Sequence, residues 1–109
     1  MRRAQTADTR IAGLVDLIVK AVHPEKIILF GSRAGPTARP DSDYDFLVIK
    51  SGIENERDVS RAVYRALFRY PEAVSVDIVA VDSAKFDDRK NDPWCIYKEA
   101  NESGIIVYG

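Results

Sequence analysis

Apolar residues fall into alternating helical and extended runs along the chain. Ile11, Leu14, Val15, Ile18, Val19 and Val22 recur at helical spacing and form one apolar stripe. Thr6 or Asp8 suits the start of this helix, and Pro24 ends it by pushing the preceding residue, His23, out of helical geometry. Lys26 to Phe30 reads as a short strand ending at Gly31. The stretch from Gly31 to Asp43 contains Gly35, Pro36 and Pro40 and reads as a loop with room for a helical turn. Tyr44 to Ile49 is apolar on both faces, which predicts a central strand.

After Ser51-Gly52, Val59, Ala62, Val63, Ala66, Leu67 and Tyr70 form the buried stripe of a second helix closed by Pro71. Val74 to Val81 is a third strand, apolar except at Ser75 and Asp77. A helical turn is expected near Ser83 to Asp88. A last helix opens at Asp92-Pro93, with Asp as cap and Pro at the first helical position. Gly104 terminates it, and Ile105 to Tyr108 is a closing strand. This order predicts one α/β (α+β) domain over residues 1–109, with a mixed sheet of about four strands packed with helices.

Composition narrows the function classes. The chain has 109 residues, 46% apolar and 30% charged, as expected of a globular domain with its own core. Its formal net charge of −1 provides no general attraction to polyanions, so nucleic acid is not the expected direct ligand. No apolar run has signal-peptide or membrane-span length, and the expected compartment is the cytoplasm. Cys95 is the single cysteine and His23 the single histidine, so neither a disulfide nor a structural zinc site can be assembled within the chain. Cys95 is expected to be a small buried side chain. Tyr97 and Tyr108 read as packing residues, and Trp94 suits either the core or an interface.

Three carboxylates carry the candidate chemistry. Asp43 and Asp45 alternate at the entry to a strand and therefore point to one face, with Tyr44 and Phe46 on the other. Asp77 sits in an apolar run, where a carboxylate needs a partner, water or a metal. If the third strand lies beside the second, the three converge. Clustered carboxylates repel one another, and a hard divalent cation such as Mg²⁺ removes that repulsion. Gly31 lets a phosphate approach the backbone, Ser32 offers an N–H and a hydroxyl, and Arg33 adds a forked cation.

The stretch Ile28-Leu29-Phe30-Gly31-Ser32-Arg33-Ala34, then ten residues between Ser32 and Asp43, then Asp43-Tyr44-Asp45, resembles the Gly-Ser…Asp-x-Asp signature of the polymerase-beta-like nucleotidyltransferases. The tail from Asn91-Asp92-Pro93 through Gly104 to Tyr108 resembles the ending of the minimal, stand-alone branch. One departure is that Pro36 stands where the family often carries glycine, with Gly35 before it.

The resemblance implies Mg²⁺ held by Asp43, Asp45 and Asp77, with Asp77 also orienting or deprotonating the acceptor. It implies triphosphate binding by Gly31 and Ser32, with Arg33 a weaker candidate. The implied reaction is in-line attack on the α-phosphorus of ATP or another NTP with pyrophosphate leaving. The stand-alone branch further implies an antitoxin that forms a complex with a HEPN-domain toxin and modifies it with AMP. The alternatives are a nucleotidyltransferase of small-molecule hydroxyls and a non-catalytic subunit that neutralises a partner by contact. Arg57, Arg61, Arg65 and Arg69 recur four apart on the second helix, as a solvated face or as a surface for an acidic partner or RNA.

Overall fold

Pro24 and the helical stripe before it place the first boundary, as a computed structural model shows. The structure describes residues 2, 3, 8–36 and 38–109. Helix α1 spans Thr9–Val22 and buries Ile11, Leu14, Val15, Ile18 and Val22. Asp8 caps it by accepting a hydrogen bond from the Arg10 N–H at 3.0 Å. Thr6, the alternative cap, lies outside the described residues. His23 turns the chain out of the helix with φ 49° and donates its N–H to the Val19 carbonyl.

The chain then forms β2 (Lys26–Phe30), a 3₁₀ turn (Gly31–Ala34), β3 (Tyr44–Lys50), α2 (Glu56–Leu67), β4 (Val76–Asp82), α3 (Ser83–Arg89), α4 (Ile96–Ser103) and β5 (Ile105–Tyr108). A two-residue segment, β1 (Arg2–Arg3), pairs in parallel with β5 at the sheet margin. The strand order is β1-β5-β2-β3-β4. The four strands expected from the pattern make up the mixed sheet, and the short β1 extends its edge. β3 lies between β2 and β4, antiparallel to the first and parallel to the second. Its central position explains why both its faces are apolar.

Helices cover the two faces. Ile27, Leu29, Tyr44, Phe46, Val48 and Ile78 pack with α1 and α2. Ile28, Phe30, Leu47, Ile49 and Val81 pack with Phe86, Tyr97 and Ala100 of α3 and α4. Alternation of neighbouring strand residues between these two clusters is the strand period of two. Tyr97 is buried and meets Phe86 edge-on at 6.1 Å, as its packing role requires.

Two expectations need correction. The last helix begins at Ile96, after Cys95, and not at Asp92-Pro93. Asp92 does cap, but it caps a separate turn: its carboxylate accepts the Trp94 N–H at 3.0 Å and its carbonyl the Cys95 N–H at 3.1 Å. Cys95 is half-buried, not fully buried, and its Sγ lies 3.5 Å from Asp92 Oδ2. Trp94 is exposed and takes no part in the core. Gly104 ends α4 where a Cβ would lie 2.3 Å from the Ala100 carbonyl oxygen and 2.4 Å from Ile28 Cγ2, so the helix end and β2 meet at a distance that excludes any side chain.

Candidate active site

The candidate carboxylates gather at the end of the sheet where β3 and β4 begin. Tyr44 and Phe46 face α1 and α2, buried and stacked at 6.3 Å, so Asp45 faces the other side. The parallel pairing of β3 with β4 sets Asp45 directly opposite Asp77. That register comes from the crossover through α2, whose Val59, Ala62 and Leu67 pack, with Tyr70 just after it, on the same core cluster as Ile78.

Asp45 is half-buried, whereas Asp43 and Asp77 are exposed. The exposure of Asp77 differs from the expectation of a carboxylate within an apolar strand. β4 starts at Val76, so Asp77 is its second residue, and β4 is an edge strand.

Burial raises the Asp45 carboxyl above the usual carboxylate range, and Asp77 and Asp43 push it further by charge. Glu99, on α4, acts on Asp45 in the same direction. Hydrogen bonding of the Asp45 side chain with Asp77 adds to the rise. No motif in the sequence marks Glu99. Its only local signal is its place on a helix whose Tyr97 and Ala100 face the core, and nothing in the spacing says which strand that helix crosses.

These oxygen donors suit a hard divalent cation. Among the described residues, however, no group of three acidic, histidine or cysteine side chains is arranged so as to hold a metal ion. Mg²⁺ needs only one or two protein carboxylates, with water and phosphate oxygens completing its shell. The facing pair Asp45 and Asp77, with Asp43 near the same strand mouth, meets that requirement without a closed cage.

Gly31 follows β2, whose last residue Phe30 is paired with Asp45. Its φ is +73°, and a Cβ at this position would lie 2.3 Å from Asp45 Oδ2. Glycine therefore does two things here. It adopts the left-handed conformation that starts the 3₁₀ turn, and it leaves space for the Asp45 carboxylate. Ser32 is exposed at the head of that turn, and the Gly35 N–H closes it onto the Ser32 carbonyl at 3.2 Å.

Arg33 is not gathered with these residues. Its guanidinium lies 4.1 Å from the centre of the Tyr44 ring, on the face opposite Asp45. Nε donates to the Ser42 carbonyl at 2.9 Å and Nη2 to the Pro40 carbonyl at 3.0 Å, while Nη1 lies 3.7 Å from Asp8 Oδ2. The Tyr44 hydroxyl donates to the same Asp8 oxygen at 2.7 Å. The structure thus places Arg33 as a clasp on the loop that leads into Asp43. Ser42 Oγ completes that loop by accepting the Arg39 N–H at 2.9 Å.

A family model described as "Polymerase beta, Nucleotidyltransferase" matches residues 13–108. A search of curated proteins gives no match. Among solved structures, the chain is similar to a putative nucleotidyltransferase from Sulfolobus solfataricus, with TM-score 0.60 and 22% identity over 89% of this chain and 76% of that one. It is similar to a toxin–antitoxin complex with AMP-PNP, with TM-score 0.59 and 20% identity over 91% of this chain and 73% of that one. A mutant MntA–HpeT toxin–antitoxin gives TM-score 0.57 and 18% identity over 91% and 73%. At these identities the structures speak for the fold alone, while the family model spans nearly the whole chain. The signature residues at the mouth of β3, the carboxylate pair across β3 and β4, and the match over residues 13–108 together make this chain a member of the polymerase-beta nucleotidyltransferase family.

Proposed function

We propose that the chain transfers a nucleoside monophosphate, AMP from ATP in the simplest case, to a hydroxyl on a partner protein. The observation that carries this reading is the pairing of Asp45 with Asp77 beside a glycine that leaves room for the Asp45 carboxylate. Asp45 and Asp77, with Asp43 at the same strand mouth, would hold Mg²⁺, which when bound neutralises phosphate charge and aligns the attacking and leaving oxygens. Gly31 and Ser32 would bind the triphosphate through backbone N–H groups and the Ser32 hydroxyl. Asp77, exposed at the edge, would take the proton of the acceptor hydroxyl. The acceptor oxygen bonds to the α-phosphorus as the bond to pyrophosphate breaks.

The openness of the site supports a protein acceptor. Ser32, Asp43, Asp77 and Glu99 are all exposed, and small acceptors are normally enclosed in a pocket that buries most of their surface. A partner protein would complete the cleft and present its own Tyr, Ser or Thr. The likeness to toxin–antitoxin structures, one of them with AMP-PNP, supports a toxin as that partner, and we assign it to the HEPN class.

The test is transfer from α-labelled ATP with Mg²⁺, first by the chain alone with small hydroxyl compounds and then with its co-purified partner, followed by mass spectrometry for added AMP. Labelling of the partner is the expected result. Efficient labelling of a small molecule by the isolated chain, with none on the partner, would overturn the reading.

A further inference from the structure

The solvent face of α2 is not used by the site described above. Arg57, Arg61 and Arg65 are exposed on it, and Arg69 is exposed in the turn that follows. Side chains four apart on a helix stand in a row about 6 Å from one to the next. The Arg69 N–H still bonds the Ala66 carbonyl at 3.1 Å, so the row continues through the last turn. Only Arg61 has a carboxylate nearby among the described residues, Asp58 at 3.9 Å, and both are well exposed.

Phe68 stands in the same row, three residues after Arg65, and is 88% exposed. A groove of about 430 Å³ lies on one side of it, walled by Tyr64, Leu67, Tyr70, Val74 and Val76 and by Glu72, whose carboxylate lies 4.0 Å from Arg10 Nη1. A smaller groove of about 270 Å³ lies between α1 and α2, floored by Ala62 and Ala66 and rimmed by Lys20, Arg65 and Arg69.

A lone exposed ring needs no explanation. A ring flanked by two grooves and a row of arginines has the composition of a protein-binding hot spot, where aromatic residues and arginine dominate. Four guanidiniums on one face select a partner of opposite sign. The whole chain, at net charge −1 and pI about 5.8, offers no wider field to hold a polyphosphate strand. Strand addition at β4 is also disfavoured, because α2 covers that edge: the Tyr64 hydroxyl accepts the Ile78 N–H at 2.9 Å and Glu56 Oε2 the Asp82 N–H at 3.1 Å. Docking here must therefore run through side chains.

We propose that the C-terminal end of α2 and the turn after it, centred on Phe68, dock an acidic protein segment that carries an aromatic or aliphatic anchor. The inference deepens the proposed protein acceptor and rests on that reading for its purpose. Val76 walls the groove, and Asp77 is the next residue of the same edge strand, turned to the opposite face. A protein seated at Phe68 is thereby held at the strand mouth where Asp77 meets Asp45.

The experiment measures binding without nucleotide or metal, so it is independent of catalysis. The probes are a random glutamate–tyrosine copolymer, polyglutamate and a short oligouridylate, followed by fluorescence anisotropy at low salt. The copolymer should bind most tightly. The double variant R61E/R65E should weaken both polypeptides by about tenfold or more. F68A should remove the copolymer's advantage over polyglutamate. D45N should bind as wild type while losing transfer, which separates failure of this surface from failure of the active-site reading. Thermal melts should show all four proteins folded, since the substituted α2 residues are exposed. Tighter binding of oligouridylate than of the copolymer, or copolymer binding unchanged in both α2 variants, would overturn the proposal.

Discussion

Gly31 and Asp45 occupy the same space from opposite sides: a Cβ on Gly31 would lie 2.3 Å from Asp45 Oδ2. The glycine of the Gly-Ser pair is therefore tied to the second carboxylate of the Asp-x-Asp pair by contact and not by sequence distance. A side chain at position 31 must displace a carboxylate of the candidate active site.

Gly31→Ala is expected to lose transfer and to lower stability by more than the backbone strain of about 1–2 kcal/mol that a left-handed alanine carries. Adding Asp45→Ala removes the steric component, so the double variant should be more stable than the two single effects summed. Denaturant melts of the four proteins check this. Additive single effects would mean that the carboxylate moves aside freely.

Asp43→Asn and Asp45→Asn should each reduce nucleotidyl transfer by about 10³-fold or more if charge stabilisation of the phosphates dominates. Asparagine keeps the shape and removes the charge that Mg²⁺ requires. Melting temperatures should stay close to wild type, because neither carboxylate supports the core. Near-normal turnover by either variant would remove these residues from the active site.

The raised carboxyl of Asp45 has a defined effect on stability. Burial, then Asp77, Asp43 and Glu99, hold its proton to higher pH in the folded state than in the unfolded chain. The folded state therefore binds more protons between the usual carboxylate range and the raised value, and stability falls as pH rises through that window. In EDTA, Asp77→Asn should be at least as stable as wild type and should flatten this slope. Mg²⁺ should then stabilise wild type more than the variant, by mass action. A pH series of thermal melts with EDTA and with Mg²⁺ measures both effects. A large loss of stability in EDTA would instead give Asp77 a structural partner.

Arg33→Ala should cost about 2–3 kcal/mol, because it removes two charge-assisted hydrogen bonds and a cation resting on Tyr44. Arg33→Lys should recover little of this, since an ammonium cannot reproduce the fork that spans the Pro40 and Ser42 carbonyls. The readouts are melting temperature and the KM for ATP. A clasp moves the first at least as much as the second. An arginine that binds the triphosphate would raise KM with stability unchanged.

The elements of this fold follow from local spacing. The stripe from Ile11 to Val22, the two-sided runs of β2 and β3, and the break at Pro24 are properties of neighbours in sequence, whereas α2 ends at Leu67, before the expected stop at Pro71. Burial pattern and backbone sterics act over a few residues, so they can be read without the fold. The same holds for the face shared by Asp43 and Asp45, which needs only the strand period. What the tertiary structure decided is every relationship across strands and between helices. The register of Asp45 against Asp77 depends on how α2 packs during the crossover, and Glu99 reaches the acidic site only because α4 crosses beside β2. Arg33 looks like a phosphate ligand while its surroundings are unknown. Folding instead offers its guanidinium an aromatic face, two carbonyls and Asp8 on the opposite side of the sheet. Asp92 carries a helix-cap signal yet caps the turn before the helix, since a carboxylate binds whichever N–H the packed chain brings to it. A long or polar side chain has several partners of similar local energy, and only the packed chain, by fixing which of them are near and which face is buried, selects among them.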